Sequence, residues 1–127
     1  MSGVVLDASA VMALLRDEPG ADVVRRAVNA AFISTVNVCE LATRLVDHGQ
    51  TPALAADHIF SLGLTIVPFD LAQAQVASAL RVQTRARGLS LGDRACLALG
   101  KLRGLPVLTA DRAWGELALD VKVVVIR

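Results

Sequence analysis

Four carboxylates, far apart along the chain, are the side chains best suited to chemistry: Asp7, Glu40, Asp93 and Asp111. Asp7 directly follows the apolar run "VVL", and Asp111 lies three residues beyond Leu108 of the run "PVLT". Both runs are typical of short strands buried in a parallel sheet. A charge at the end of such a strand is unusual and marks a candidate site.

The chemistry that four such acids would perform together is metal-assisted hydrolysis. Two carboxylates about 5 Å apart repel by roughly 3 kcal/mol at an effective dielectric near 20, so a shared cation is expected. Oxygen ligands without cysteine or histidine suit a hard ion, Mg²⁺ or Mn²⁺. Such an ion lowers the pKa of a water and offsets the charge that develops at phosphorus. The set therefore predicts phosphodiester hydrolysis.

Asp7 and Asp93 each have a structural alternative. Asp7 is also compatible with an Asx turn into the next helix, although its position favours a site. Asp93 lies in the stretch "LSLGDRACLALG" and forms a capping-box pattern with Ser90. Aspartate is shorter than the usual glutamate or glutamine and reaches back less well. The apolar surroundings also favour a site role.

Glu40 and Asp111 are less distinct by pattern. Glu40 falls in a polar stripe with Asn37, Thr43, Arg44 and Asp47. Helical periodicity therefore predicts that it faces solvent, with an i,i+4 ion pair to Arg44. Asp111 is either the N-cap of "RAWGEL" or a site residue. The hydroxyls of Ser9 and Thr109 are either caps and turn formers or hold a water or a phosphate oxygen.

The elements that must position these residues alternate between strand and helix. Strands are predicted at "VVL", "AFI", "LTIVPF", "PVLT" and "VKVVVI". Helix caps are predicted at Ser9, Ser34, Thr51, Asp70 with Gln73, and Ser90, and a short helix after Asp111. Strand–helix alternation predicts one α/β domain over residues 1–127, with a mainly parallel sheet of about five strands flanked by helices. The four acids then converge at the carboxyl edge of the sheet.

Composition narrows the function classes. The hydrophobic fraction of 54% fits buried strands, and no apolar run is long enough to span a membrane. Cys39 and Cys96 are expected to be buried small hydrophobes, and with only His48 and His58 a zinc site is not expected. A cytoplasmic location is the expectation, since no export signal is evident. The scarcity of aromatic residues argues against a protein that binds single strands by base stacking.

A basic region follows in the last third of the chain. Six arginines and one lysine lie between positions 81 and 112, against two acids. These residues either solvate two helices or form a surface for phosphates, and both readings stay open. The candidate RNA contacts are Arg85, Arg87, Arg94 and Arg112.

Together these segments resemble the PIN-domain ribonucleases, especially VapC-type toxins of prokaryotic toxin–antitoxin pairs. The matching segments, in order, are "VVLDASAVMALL", "ISTVNVCELATRL", "LSLGDRACLALG" and "PVLTADRAW". The resemblance covers essentially the whole chain. It implies that Asp7, Glu40, Asp93 and Asp111 are the family's acidic quartet, and that Ser9 and Thr109 are its strand-end hydroxyls. It also implies that Glu40 lines a cleft, against the periodicity.

The resemblance further implies Mg²⁺- or Mn²⁺-dependent endonucleolytic cleavage of RNA, a homodimer, and inhibition by a cognate antitoxin that covers the cleft. Some family members carry another acid or asparagine four residues after the last aspartate, where this chain has Gly115. The number of metals, one or two, therefore stays open.

Two other function classes share part of this pattern. In the first, Asp7 is the nucleophile of a phosphoryl-transfer domain; such hydrolases want a second aspartate where this chain has Ser9. Receiver-type domains need a lysine at the end of a late strand, and this sequence has no such lysine. In the second, the chain is an inactive α/β binding module, which the full acid set argues against.

Overall fold

A five-stranded, wholly parallel sheet forms the centre of the computed structural model, which describes residues 3–127. The strands are β1 Val4–Leu6, β2 Ala31–Ser34, β3 Thr65–Val67, β4 Val107–Thr109 and β5 Val123–Val125. Their order across the sheet is β3-β2-β1-β4-β5. The central strand β1 pairs with β2 on one side and β4 on the other, so three carboxyl ends lie side by side.

Helices cover both faces of this sheet, as the alternation predicted. The α-helices are α1 Ala8–Leu15, α2 Ala21–Ala27, α3 Thr35–Asp47, α4 Pro52–Phe60, α5 Leu71–Thr84 and α6 Leu91–Arg103. Short 3₁₀ segments are Val28–Ala30, Arg85–Arg87 and Arg112–Glu116. The predicted short helix after Asp111 is thus a 3₁₀ segment, which suits its length.

The core lies in two layers because successive strand residues point to opposite faces. Leu6 packs with α1 to α4, for example against Val11 and Leu41. Its neighbour Val5 packs with α5 and α6, for example against Leu80. The sheet is therefore buried on both sides, as its apolar strands require.

Most predicted helix starts are confirmed. The side chains of Ser34, Thr51 and Ser90 each accept a bond from a backbone N–H in the first turn. The Asp70 cap is also present, but the box is only half formed, because the Gln73 amide donates to the carbonyl of Pro68 instead.

One predicted cap is wrong. Ser9 is not the N-cap of α1, because the helix begins at Ala8 and Asp7 occupies the cap position without a side-chain cap bond. The Ser9 hydroxyl instead contacts Asp7 and Thr109. Because the cap lies two residues earlier than predicted, Ser9 falls inside the first turn, and its hydroxyl does not cap the helix.

The two cysteines differ in their surroundings. Cys96 is buried in α6, as predicted, whereas Cys39 is exposed on α3, so its predicted burial is wrong. The buried face of α3 uses Asn37, Leu41 and Leu45, and Cys39 lies off that face. Within residues 3–127, no helix combines the length and the apolar character needed to cross a bilayer.

Candidate active site

Asp7 lies at the carboxyl end of β1, held by both its backbone and its side chain. Its N–H donates to the carbonyl of Leu108 on β4 at 3.0 Å, which aligns the two strand ends. Its side chain is only 5% exposed, and Oδ2 accepts bonds from the hydroxyls of Ser9 at 2.5 Å and Thr109 at 3.0 Å. The carboxylate is therefore fixed in one orientation.

The hydroxyls of Ser9 and Thr109 each donate to Asp7 and accept from a backbone N–H. Each hydroxyl has one proton, and both protons point to Asp7. Their oxygens then accept from the loop that follows β4: Ala110 N–H donates to Ser9 and Asp111 N–H donates to Thr109, at 3.0 and 3.1 Å. The two hydroxyl oxygens lie 3.2 Å apart because both hydroxyls contact Asp7 Oδ2. The loop after β4 is thus tied to Asp7.

The pKa of Asp7 is raised above its ordinary value. Burial is the largest cause, because it disfavours the charged form. The hydrogen bonds from Ser9 and Thr109 lower the pKa in the opposite direction, and the charges of Asp93 and Glu40 raise it again. The last effect shows that Asp93 and Glu40, from two different helices, lie close enough to act on Asp7.

Glu40 lies on the second turn of α3 and faces the first turn of α6. Its Oε1 accepts a 2.9 Å bond from the amide of Asn37, which also donates to the carbonyl of Gly92 at 3.0 Å. The solvent-facing prediction from periodicity is therefore wrong for Asn37, which is 0% exposed, and for Glu40, which is half-buried. The ion pair predicted between Glu40 and Arg44 is not among those found in residues 3–127.

Asp93 combines two features that were treated as alternatives. Its Oδ2 accepts from Ser90 N–H at 2.9 Å while its own N–H donates to the Ser90 hydroxyl at 3.2 Å, so the capping box is complete. The expectation that aspartate reaches back poorly is wrong. At the same time, the half-buried carboxylate acts on Asp7, so a cap does not prevent a site role.

Asp111 has a different environment from the other three acids. It is exposed, and its Oδ1 accepts from Ala113 N–H at 3.0 Å as the cap of the 3₁₀ segment Arg112–Glu116. The charges that raise the pKa of Asp7 are those of Asp93 and Glu40. Asp111 is linked to the site through its backbone contact with Thr109.

Three carboxylates therefore share one electrostatic neighbourhood at the carboxyl edge of the sheet. Cys96 lies near the same three charges: burial raises the pKa of its thiol, and the charges of Asp7, Asp93 and Glu40 raise it further. The raised pKa favours the protonated thiol at neutral pH. As the side chains stand in residues 3–127, no three acidic, histidine or cysteine groups close around one point.

The sequence of residues 4–119 matches the family model of the PIN domain. The chain belongs to the PIN domain family. Comparison with curated protein sequences finds no match.

Several solved structures share this PIN fold. A toxin-antitoxin complex from Klebsiella pneumoniae has a TM-score of 0.76 and 18% identity, covering 96% of each chain. DNA-bound VapBC from Salmonella typhimurium has a TM-score of 0.74 and 15% identity, covering 98% of each chain. VapC20 of Mycobacterium tuberculosis, described as a sarcin-ricin loop cleaving toxin, has a TM-score of 0.72 and 16% identity, covering 94% of this chain and 99% of its own. At such identities the likeness shows the fold.

Most of the basic residues of this PIN domain already have partners. Arg87 pairs with Glu116 at 3.0 Å, and Arg112 donates to the carbonyl of Arg127 at 3.2 Å. Arg94 is half-buried and donates to the carbonyl of Ala77 at 3.0 Å. Arg94 therefore joins α6 to α5, so among the RNA-contact candidates it has a structural role.

The residues that sequence reasoning missed in this PIN domain are Asn37 and Gly92. By periodicity, Asn37 is one member of a polar stripe. The opposite side of α3 is apolar, so the pattern gives no sign that α6 covers Asn37 and Glu40. A signal in the sequence is Gly92 directly before Asp93, since a glycine next to a site acid indicates that another group approaches the backbone closely there.

Proposed function

We propose that this chain is a Mg²⁺- or Mn²⁺-dependent endoribonuclease that hydrolyses RNA phosphodiester bonds. One observation carries the proposal: the charges of Glu40 and Asp93, from two helices, both act on Asp7 at the carboxyl edge of a PIN fold. None of the three acids takes part in the ion pairs found in residues 3–127, and acids kept together in this way repel one another, which a cation would relieve.

The donor set fits a hard cation. Its side-chain donors are carboxylate oxygens, and the neighbouring thiol of Cys96 is held protonated by burial. Asp7, Glu40 and Asp93 would hold the ion, with Asp111 as the fourth acid nearer solvent. When bound, the ion supplies positive charge that lowers the pKa of a water and offsets charge at phosphorus.

The chain's own residues contribute orientation. Ser9 and Thr109 hold Asp7 through its Oδ2 atom. The capping box presents Asp93 at the N-terminus of α6, where the helix dipole favours anions, including an RNA phosphate. Water would then attack phosphorus and give up a proton to solvent, as the bond from phosphorus to the leaving oxygen breaks and that oxygen takes up a proton. Arg85, Arg87 and Arg112 are the candidate contacts for flanking phosphates.

The same geometry disfavours Asp7 as a nucleophile. Its carboxylate is 5% exposed, and Oδ2 already accepts two hydroxyl protons. An attacking oxygen has to reach phosphorus freely, which the burial of Asp7 hinders and which the two bonds prevent for Oδ2. Holding an ion from one side needs no such freedom.

The proposal extends to partners. The structural neighbours from Klebsiella pneumoniae and Salmonella typhimurium are toxin–antitoxin complexes, and VapC20 is described as cleaving the sarcin-ricin loop. We propose by analogy that this chain is the toxin of a toxin–antitoxin pair, forms a homodimer and is inhibited by a cognate antitoxin over the cleft. Co-expression with the product of an adjacent short reading frame should remove its toxicity and yield a co-purifying complex.

Incubation of the purified chain with structured RNA tests the activity. Cleavage should require Mg²⁺ or Mn²⁺, stop with chelator, and be lost in Glu40→Gln. The matched control is Asp47→Asn, since Asp47 is an exposed acid at the other end of α3. Cleavage that persists with chelator, or in Glu40→Gln, would overturn the metal mechanism.

A further inference from the structure

Asn37 is a buried amide on the face of α3 that meets α6. Its side chain is 0% exposed, and its two amide protons go to Glu40 Oε1 and to the carbonyl of Gly92. Its Oδ1 has no hydrogen-bond partner within residues 3–127. A buried acceptor without a partner is destabilising, so an apolar residue would serve stability better here.

Gly92 approaches the same carboxylate from the other helix. A Cβ atom at this position would overlap the carboxyl carbon and both oxygens of Glu40. Position 92 lies in the helical first turn of α6, where glycine is otherwise unfavourable. The missing side chain therefore makes room for Glu40 directly beside Asp93.

We propose that Asn37 and Gly92 are positioning residues that hold the Glu40 carboxylate against the first turn of α6. In this way they set the affinity of the acidic site for Mg²⁺ or Mn²⁺. The proposal rests on the proposed function and adds to it two residues outside the acidic quartet. Asn37 orients the carboxylate from its own helix, and Gly92 leaves the space that the carboxylate fills.

Few residue types could make both hydrogen bonds that Asn37 makes. The amide supplies two donors without a charge, so it bonds Glu40 and bridges to the Gly92 carbonyl at once. Aspartate would add repulsion beside Glu40, and leucine would fill the volume without a donor. Serine would retain one donor, so it should act as a partial replacement.

Mn²⁺ affinity of the purified chain, measured by electron paramagnetic resonance, tests the positioning role. Asn37→Leu and Gly92→Ala should each weaken Mn²⁺ binding by about tenfold or more, while Asn37→Ser should be intermediate. Asn29→Leu is the matched control, because Asn29 is exposed and lies in the Val28–Ala30 segment. A purely structural role would lower the melting temperature and leave the Mn²⁺ affinity of the folded chain unchanged.

A double-mutant cycle tests the contact without metal or RNA. Gly92→Ala should lower the melting temperature of the wild-type chain but not that of Glu40→Ala, because truncation removes the carboxylate that the methyl would overlap. Equal shifts in both backgrounds would overturn the contact. If the wild-type chain binds no Mn²⁺, the proposed function and the affinity role fail together. If it binds Mn²⁺ and the variants bind equally well, only this inference fails.

Discussion

Thr109 Oγ1 donates a hydrogen bond to Asp7 Oδ2 across 3.0 Å, although 102 positions separate the two residues. The contact joins the carboxyl ends of β1 and β4, which are neighbours in the sheet. The same hydroxyl accepts from Asp111 N–H. The buried side chain of Thr109 therefore bonds both the Asp7 carboxylate and the loop that carries Asp111. The orientation of Asp7 therefore depends on pairing between distant strands.

Replacing Thr109 by valine should destabilise the chain by about 1 to 3 kcal/mol. The change preserves shape but leaves the buried Asp7 carboxylate with the Ser9 hydroxyl as its remaining donor, and the Asp111 N–H without its acceptor. Urea denaturation should show a lower midpoint with an unchanged slope. Thr43→Val is the control, since this exposed hydroxyl bonds only the carbonyl of Cys39 and should change stability by less than about 0.5 kcal/mol. Equal losses in both variants would argue against a special role of Thr109.

Asp7→Asn should stabilise the metal-free chain at neutral pH, by roughly 1 kcal/mol, because it removes a buried charge and, as a smaller effect, repulsion with Asp93 and Glu40. The pKa of Asp7 is raised on folding, so the folded chain binds more protons than the unfolded chain. Stability is therefore lost as pH rises from the ordinary pKa of 3.8 through the raised value. The advantage of Asp7→Asn should vanish below pH 3.8.

Thermal unfolding over pH in the presence of chelator measures this difference. Asp57→Asn is a suitable control, since Asp57 is an exposed acid of α4 outside the site. Added Mn²⁺ should raise the melting temperature of the wild type and not that of Asp7→Asn. A destabilised Asp7→Asn at neutral pH would show that the charge is needed for the fold.

Asp93 can be separated from its capping role by two substitutions. In Asp93→Asn, an amide oxygen still accepts from Ser90 N–H, so helix stability should persist while Mn²⁺ binding and cleavage are lost. In Ser90→Ala the cap oxygen is lost at a cost of about 1 kcal/mol, while the carboxylate and the cleavage remain. The paired measurements are unfolding and Mn²⁺-dependent cleavage. If Ser90→Ala abolishes cleavage while Asp93→Asn retains it, the assignment of the two roles is reversed.

The parts of this structure that depend on local chemistry were predictable. Caps at Ser34, Thr51 and Ser90 follow from side-chain oxygens that satisfy free N–H groups at helix starts. The position of Asp7 follows from a charge at the end of an apolar strand. Each of these depends on residues a few positions apart, which a linear pattern records.

The parts that depend on packing between distant elements were not predictable from periodicity. Asn37 and Glu40 share a stripe with Thr43 and Arg44, yet only the first two are covered by α6. Periodicity gives the angular position of a side chain on a helix and carries no information on where a neighbouring helix ends. The contacts of Ser9 depend on packing in the same way, since its partner Thr109 lies on β4, 100 positions away along the chain.

Arg85 should contribute to RNA binding through charge, whereas Arg94 should contribute to folding. Arg85 is exposed at the start of the Arg85–Arg87 segment, and Arg94 donates to the Ala77 carbonyl between two helices. In filter binding over a salt series, Arg85→Ala should reduce the slope of log affinity against log salt by about 1. Arg94→Ala should instead lower the melting temperature and leave that slope nearly unchanged.

Arg26→Ala is the control for this salt series, because Arg26 is an exposed residue of α2, and α2 packs on the other face of the sheet. It should change neither the slope nor the affinity. If Arg85→Ala and Arg26→Ala behave alike, the basic region solvates its helices and does not contact phosphates. A reduced slope in Arg94→Ala would mean that its guanidinium leaves the Ala77 carbonyl when RNA binds, since a phosphate is the stronger acceptor.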